Sequence, residues 1–471
     1  MDHMSASIAV HPHRLLPADP ATRAIAESLL TLVEHLPILS PHGHVDAAVL
    51  ERDERFPDPA TMLVTPDHYV TRLLHAAGVP LGELGLGSEP APPREVWRRF
   101  CAGWPLFDGT ASGYWLRSEL VQVFGIDDAR LTAEHADDLY DELERRLGSP
   151  EFRPRALFER FGIEVFATTD DPLDDLSAHR ALAADPTFRG RVLPTFRPDA
   201  YLKAHSAGWA ERVDRLISVA AGGASGYAGY IAALEERRRY FIAHGAVSTD
   251  HGAATAQTLK LDPADAAALF DRARAGDADA ADAAAFEAHM MYEMARMSVD
   301  DGLVMTVHPG VFRNHHRPSF DRFGGDTGHD IPVRIDYTAA LRPLLNDFGT
   351  REGFHLVLFT IDETTFSREL APLAGFYPAV YIGAPWWFLD APDAMLRFRS
   401  AVTETAGFSR ASGFIDDTRA FASIPARHDA ARRVECAFLA RLVAEHRITE
   451  ERAAEIVVDL VDHAPRRVFK L

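Results

Sequence analysis

Short apolar runs that end in polar, glycine or proline residues recur along the chain, and longer segments with apolar residues at helical spacing separate them. Eight runs stand out: LPILSPHGH (36 to 44), IEVFATTDD (163 to 171), RVLPTFRPD (191 to 199), GAVSTDHG (245 to 252), GLVMTVHPG (302 to 310), FHLVLFTID (354 to 362), AVYIGAPWWF (379 to 388) and SGFIDDTRA (412 to 420). Each begins apolar and finishes on residues able to do chemistry. Strands that alternate with helices pair in parallel, and eight of them with polar ends gathered on one face predict an α/β fold of the (β/α)8, TIM-barrel type. A doubly wound open sheet is the other arrangement this alternation allows, but no GxGxxG opens a helix after the first run.

Residues 45 to 162 are far more than one crossover helix requires, so an insertion at about 47 to 160 is expected. Within it, TPDHYVTRLLHAAG starts a helix with Pro at its first turn, and DDLYDELERRLG and PRALFERFG have amphipathic helical spacing. The alanine-rich stretch 262 to 299 predicts two helices joined near Gly276. The tail, about 425 to 471, reads as two closing helices. No repeat or linker divides the chain, so residues 1 to 471 are read as one domain.

Composition narrows the function. With 47% hydrophobic and 25% charged residues in 471, the chain can bury a large core. Its 49 basic and 69 acidic residues give a net charge of −20, which repels nucleic acid and anionic membranes and points to small-molecule ligands. An anionic substrate would bind only where arginines reverse the field locally. Cys101 and Cys436 are the only cysteines, which argues against a disulfide framework and fits a reduced cytoplasm. The N-terminal MDHMSASIAVHPHRLLPADP lacks the pattern of a secretory leader, and no run approaches eighteen apolar residues, so neither secretion nor membrane insertion is expected.

His42 and His44 stand at i and i+2, so in a strand both imidazoles can meet one cation at about 2.0–2.1 Å. Gly43 between them leaves room for a close approach. The same pair could instead be loop histidines donating to carbonyls, and a third ligand decides; His251, His308, Asp417 and Asp170 are the candidates at other run ends. In a barrel the eighth run lies beside the first, so Asp417 can complete a His–His–Asp set. Asp416 and Asp417 face opposite sides of a regular strand, so at most one reaches the centre, and either also suits a helix N-cap. Arg197 and Arg419 end two runs and Arg313 follows a third. Convergence on an anionic ligand would explain them, and surface salt bridges are the alternative. Trp386 and Trp387 offer an apolar or stacking wall, and Tyr69, from spacing alone, reads as packing.

Taken in order, HGH, DHY, TTDDP, LPTFRPD, TDHG, VHPG with RN close behind, WWF, and DDTRAF followed by ARHD resemble the uronate isomerases, also called glucuronate isomerases, of the amidohydrolase superfamily. The matches run from about residue 10 to the C-terminus; the ordered set is specific where no single tripeptide is. The resemblance implies a (β/α)8 barrel that interconverts D-glucuronate with D-fructuronate, and D-galacturonate with D-tagaturonate, in hexuronate catabolism. It implies one divalent metal, commonly zinc, on His42, His44 and Asp417, although some members tolerate its loss better than the superfamily's hydrolases do. Tyr69, Arg197 and Arg419 match substrate-facing positions, and His308, Arg313, Trp386 and Trp387 join them as substrate-binding candidates. Gly43 stands where many members have Cys, and DDTR where others read TDSR. A homo-oligomer acting on a small-molecule hexuronate is the expected form.

Moving a proton from C2 to C1 of an aldose needs a base, a group that steadies the enediolate and a proton path between O1 and O2. The expected assignment gives the base role to Asp417 or to a water on the metal, and proton donation or shuttling to Tyr69. Arg419 and the metal steady the enediolate, while Arg197, joined by Arg313, holds the C6 carboxylate. The competing class is a metal-dependent hydrolase of the same superfamily acting on a sugar-acid lactone or amide. It shares the HxH and the Asp but leaves Tyr69 and the arginines unexplained.

Overall fold

The computed structural model describes residues 10 to 126 and 131 to 471; the first nine residues of the stretch read for a leader lie outside the described residues. Seven of the eight apolar runs contain a parallel strand: β1 Ile38–Ser40, β2 Ile163–Ala167, β3 Arg191–Leu193, β4 Ser248–Ala253, β5 Val304–Pro309, β8 Leu356–Leu358 and β9 Val380–Ile382. A short antiparallel hairpin, β6 Val311–Phe312 with β7 Ile331–Pro332, follows β5. Pairing runs β1–β2–β3 and β4–β5–β8–β9, all parallel. Phe196, just past β3, joins the two arcs by bridging both Asp170 and Thr249.

The eighth run corrects the expectation of a regular strand. Only Ala411, just ahead of it, is bridged to β9 at Ile382. Gly413 at φ 80° and Asp417 at φ 40° interrupt the extended backbone, so its hydrogen bonds become isolated ones: Ser412 N–H donates to Ile382 at 3.0 Å, and His44 N–H donates to Thr418 at 3.0 Å. That last bond brings the eighth run against the first and closes the ring, as a barrel requires.

The insertion folds as helices whose apolar faces share one core with the barrel. Trp97, Phe100, Phe107, Leu143 and Leu157 are buried in the same cluster as Ile38 and Phe166 of β1 and β2. Its helix His68–Ala76 is capped by Asp67, whose carboxylate accepts from Tyr69 N–H at 2.8 Å. Pro66 therefore precedes the cap instead of occupying the first turn, because Asp67 supplies the capping oxygen. The alanine-rich stretch splits as expected into Pro263–Ala275 and Ala280–Asp301, with Gly276 at φ 80° ending the first. The tail forms more pieces than two: Ile424–Ala444 and Glu450–Val458 continue through a π-turn at Asp459–His463 into Ala464–Phe469. Cys101 and Cys436 are free and buried. Among the described residues no helix is long and apolar enough to cross a membrane.

Candidate active site

The segment after β1 carries His42 and His44, and the irregular eighth run brings Asp417 to them. Asp417 Oδ1 lies 3.3 Å from His42 Nε2 and 3.0 Å from His44 Nε2. The neighbouring turn is pinned by Thr169, whose hydroxyl donates to the Gly43 carbonyl at 2.6 Å. His42 stacks on His308 with ring centroids 4.7 Å apart, and His308 stacks on Phe359 at 4.1 Å. Asp416 turns away, accepting from His428 Nε2 at 3.1 Å, so only one of the adjacent carboxylates reaches the centre. A Cβ on Gly43 would meet nothing nearer than 3.5 Å. There is room at Gly43, as the sequence suggested, and enough of it that a Cβ would make only ordinary contacts.

A second triad adjoins the first. His42, Asp250 and His308 place ligand atoms within 4.8 Å of one another, as do His42, His44 and Asp417. His308 Nδ1–H donates to Asp250 Oδ1 at 2.7 Å, and Arg197 Nη1 lies 3.2 Å from Asp250 Oδ2. Burial pushes the Asp250 carboxyl up, but the Arg197 guanidinium and the two imidazoles outweigh it and hold the group well below the carboxylate range. Burial likewise opposes ionisation of Asp417, and His42 and His44 overcome it. His251 stands apart: its Nδ1 faces the Thr306 carbonyl at 3.0 Å, and burial lowers its pKa to about 4. Asp170 is held by the Thr168 hydroxyl and the Thr195 N–H.

Two imidazoles and a carboxylate converging on one point form a donor set suited to a divalent cation of the zinc class. Among the described residues, Asp417 Oδ1 and His308 Nε2 are buried without a hydrogen-bond partner, and a cation would satisfy such atoms. The residues present therefore fit a metal.

Outward from this centre lies a pocket lined by His44, His68, Tyr69, Arg313, Asp326, Trp386, Trp387, Asp417, Arg419 and Arg427 among others. The Tyr69 hydroxyl has no hydrogen-bond partner among the described residues, while its ring stacks on His68 at 4.7 Å and meets Trp115 edge-on at 5.5 Å. Burial raises the Tyr69 phenol well above its ordinary value, so it carries its proton. Arg313 lies 4.9 Å over the Trp387 ring. Arg419 and Arg313 share Asp326, at 3.0 and 3.5 Å. Arg197 is not in this lining; it is engaged by Asp199 and Asp250, both at 3.2 Å. Asp417 (φ 40°), Trp387 (φ 53°) and Asp326 (φ 60°) all adopt left-handed backbone. Such strain costs about 1–3 kcal/mol per residue and clusters at functional sites.

The family model described as glucuronate isomerase matches residues 21–469. The chain belongs to the glucuronate isomerase family. It is 61% identical to the uronate isomerase of Corynebacterium efficiens over 469 residues, covering 99% of this chain and 100% of that one. It also superposes on the crystal structure of glucuronate isomerase from Caulobacter crescentus with a TM-score of 0.96 at 45% identity, covering 99% of this chain and 98% of the other. The uronate isomerase from Thermotoga maritima gives 0.91 at 27% identity, with 98% and 99% covered. The barrel with its insertion is thus the family's fold along nearly the whole chain.

Three residues that the motifs did not single out complete the site: Asp250, Asp326 and Arg427. Asp250 precedes His251 in TDHG, and the choice between them is one of strand phase. The small Gly252, where a Cβ would come 3.0 Å from the Arg197 guanidinium, marks the face that turns toward Arg197. Arg427 lies behind Tyr69, fully buried, paired with Asp390 at 2.5 Å and 3.6 Å over the Trp115 ring. Nearby, burial first and Asp67 second push Glu119 up to about 8. A raised folded pKa means the folded chain keeps a proton that the unfolded chain releases above about 4.5. The stability this confers is present at low pH and is lost as pH climbs through about 8. Glu119→Gln, which mimics the protonated form, should therefore gain stability over the wild type progressively between pH 5 and pH 8; thermal unfolding across that range checks it.

Proposed function

We infer that this chain is a uronate isomerase that interconverts D-glucuronate with D-fructuronate, and D-galacturonate with D-tagaturonate. The observation that carries the reading is one pocket in which Asp417, an uncommitted Tyr69 hydroxyl and the Arg313–Arg419 pair converge. The C6 carboxylate of a hexuronate takes the two guanidiniums, a charge-assisted contact, and this places C1 and C2 toward Asp417. The nearest contacts of His42 and His44 are to Asp417 Oδ1, which leaves Oδ2 for the C2 proton. That proton is then delivered to C1. Tyr69, protonated at neutral pH, passes its proton between O1 and O2. Trp386 and Trp387 wall the site against water, and His308 supports His42 from behind. Arg197, which pairs with Asp199 and Asp250 outside the lining of this pocket, is given the role of holding Asp250, and Arg419, expected from the sequence at the enediolate, is given to the carboxylate beside Arg313. A divalent cation held by His42, His44 and Asp417 would supply Lewis-acid polarisation of the reacting oxygens.

Incubation with D-glucuronate and D-galacturonate, followed by ketose detection, tests the reading. Silence with both, alongside turnover of a sugar-acid lactone or amide, would favour the hydrolase alternative, which the full-length relatives named as uronate isomerases do not support. Tyr69→Phe should lower kcat/KM roughly 100-fold, the usual contribution of a placed proton donor. Steady-state ketose formation reads this directly, and an unchanged rate would remove Tyr69 from the proton path.

A further inference from the structure

The loop that leads from the helix Arg317–Phe323 to β7 presents a carboxylate to the two arginines assigned above to the substrate. Arg419 Nη1 lies 3.0 Å from Asp326 Oδ2, and Arg313 Nη1 lies 3.5 Å from Oδ1, so one carboxylate spans both guanidiniums. Among the described residues Asp326 is the sole carboxylate paired with Arg419. Arg313 has a second, fixed partner: Asp330, buried, accepts from Arg313 Nη1 at 2.9 Å and from Asn314 N–H at 2.7 Å. Asp326 differs from Asp330 in that its side chain is 45% exposed and sits at the tip of a turn between Gly324 (φ 81°) and Gly328 (φ 91°). The turn itself is anchored. At Gly328 a Cβ would come 2.8 Å from Arg72 Cβ and 3.3 Å from the His68 carbonyl, so the turn is pressed against the helix that carries Tyr69.

We propose that Asp326 is a built-in stand-in for the substrate's carboxylate, which it must yield to when a sugar acid enters. The proposal rests on the reading that Arg313 and Arg419 take the C6 carboxylate. Swapping one carboxylate for another keeps both guanidiniums paired with the pocket empty or filled, so neither state leaves a cation uncompensated. Entry of a neutral hexose offers no replacement charge, and Asp326 stays in place against it. Affinity for any anion is then a difference between two pairings, and Asp326 sets the threshold that an anion must pass.

The test compares wild type with Asp326→Asn, and with Asp326→Ser as a second uncharged side chain, each checked for folding by circular dichroism. Two quantities are read: KM for D-glucuronate and the inhibition constant of inorganic sulfate. Removing the internal competitor should lower both, by roughly fivefold for a half-exposed ion pair. Either quantity unchanged or raised in the folded variants overturns the proposal, because a residue that only orients Arg419 would weaken anion binding when lost. If the wild type turns over neither uronate, the isomerase reading fails instead. Sulfate binding by calorimetry then still decides the role of Asp326: tighter binding by the variants supports it, equal or weaker binding overturns it.

Discussion

Asp417→Asn is expected to lower kcat/KM by roughly 10²–10⁴-fold, the range associated with loss of a positioned base. Asn preserves the shape of the side chain but cannot take the C2 proton, and it withdraws the negative charge from two imidazoles 3.0 and 3.3 Å away. Three measurements on the same preparation separate these effects: ketose formation, exchange of the C2 proton with deuterium, and metal content. Exchange and turnover should fall together. If exchange persists at the wild-type rate while metal content drops, Asp417 is a metal ligand only and another group moves the proton. The residue is demanding because burial alone would neutralise it; His42 and His44 hold it ionised. A base that depends on two neighbours for its charge is sensitive to either of them.

Arg427→Met should destabilise the fold by about 3–5 kcal/mol, the usual consequence of removing one partner of a buried ion pair. Arg427 is enclosed, with Asp390 at 2.5 Å and the Trp115 ring at 3.6 Å. Methionine fills part of the volume but leaves Asp390 without a counter-charge. Burial already raises Asp390 to about 7 against the opposing pull of Arg427, so in the variant its proton is held more tightly still. The stability gap should therefore widen above about pH 7, where the wild type carries an ionised, paired Asp390 and the variant holds a proton that the unfolded chain has released. Denaturant unfolding at pH 6 and pH 9 measures both the loss and its slope. A midpoint equal to wild type at both values would mean that the pair contributes little. Adding Asp390→Asn to Arg427→Met should recover part of the loss, since it removes the orphaned carboxylate.

The two residues differ in how visible they were. Asp417 could be found because HxH at the end of the first run and DDTR at the end of the eighth become neighbours in any closed eight-stranded barrel. Arg427 lies in ARHD, at the start of a helix whose face is polar in sequence yet almost wholly enclosed, with Arg427, His428, Arg432 and Arg433 all buried. No periodicity distinguishes such a helix from one with a solvated charged stripe. Asp250 was obscured for a related reason: β4 is buried along nearly its whole length, so alternation gives no phase, and the adjacent His251 is the more conspicuous ligand type. Asp326, in a glycine-rich turn, has no signature except its distance from two arginines that lie 13 positions before it and 93 after it.

By itself the sequence determined seven of the strands, the long insertion, the break at Gly276, and the first- and eighth-run residues that meet at the centre. These follow from local periodicity, propensity and the closure rule of a barrel, all of which act over a few residues or are topological. The tertiary structure alone decided that the eighth run is irregular. It decided too that Arg197 is taken by Asp250, that Arg313 and Arg419 share one internal carboxylate, and that Glu119 is buried where it keeps its proton. The physical reason is common to all of these: an ionisable side chain acquires its role from the charges and the solvent it meets across the fold, at distances of about 3 Å that sequence spacing does not encode.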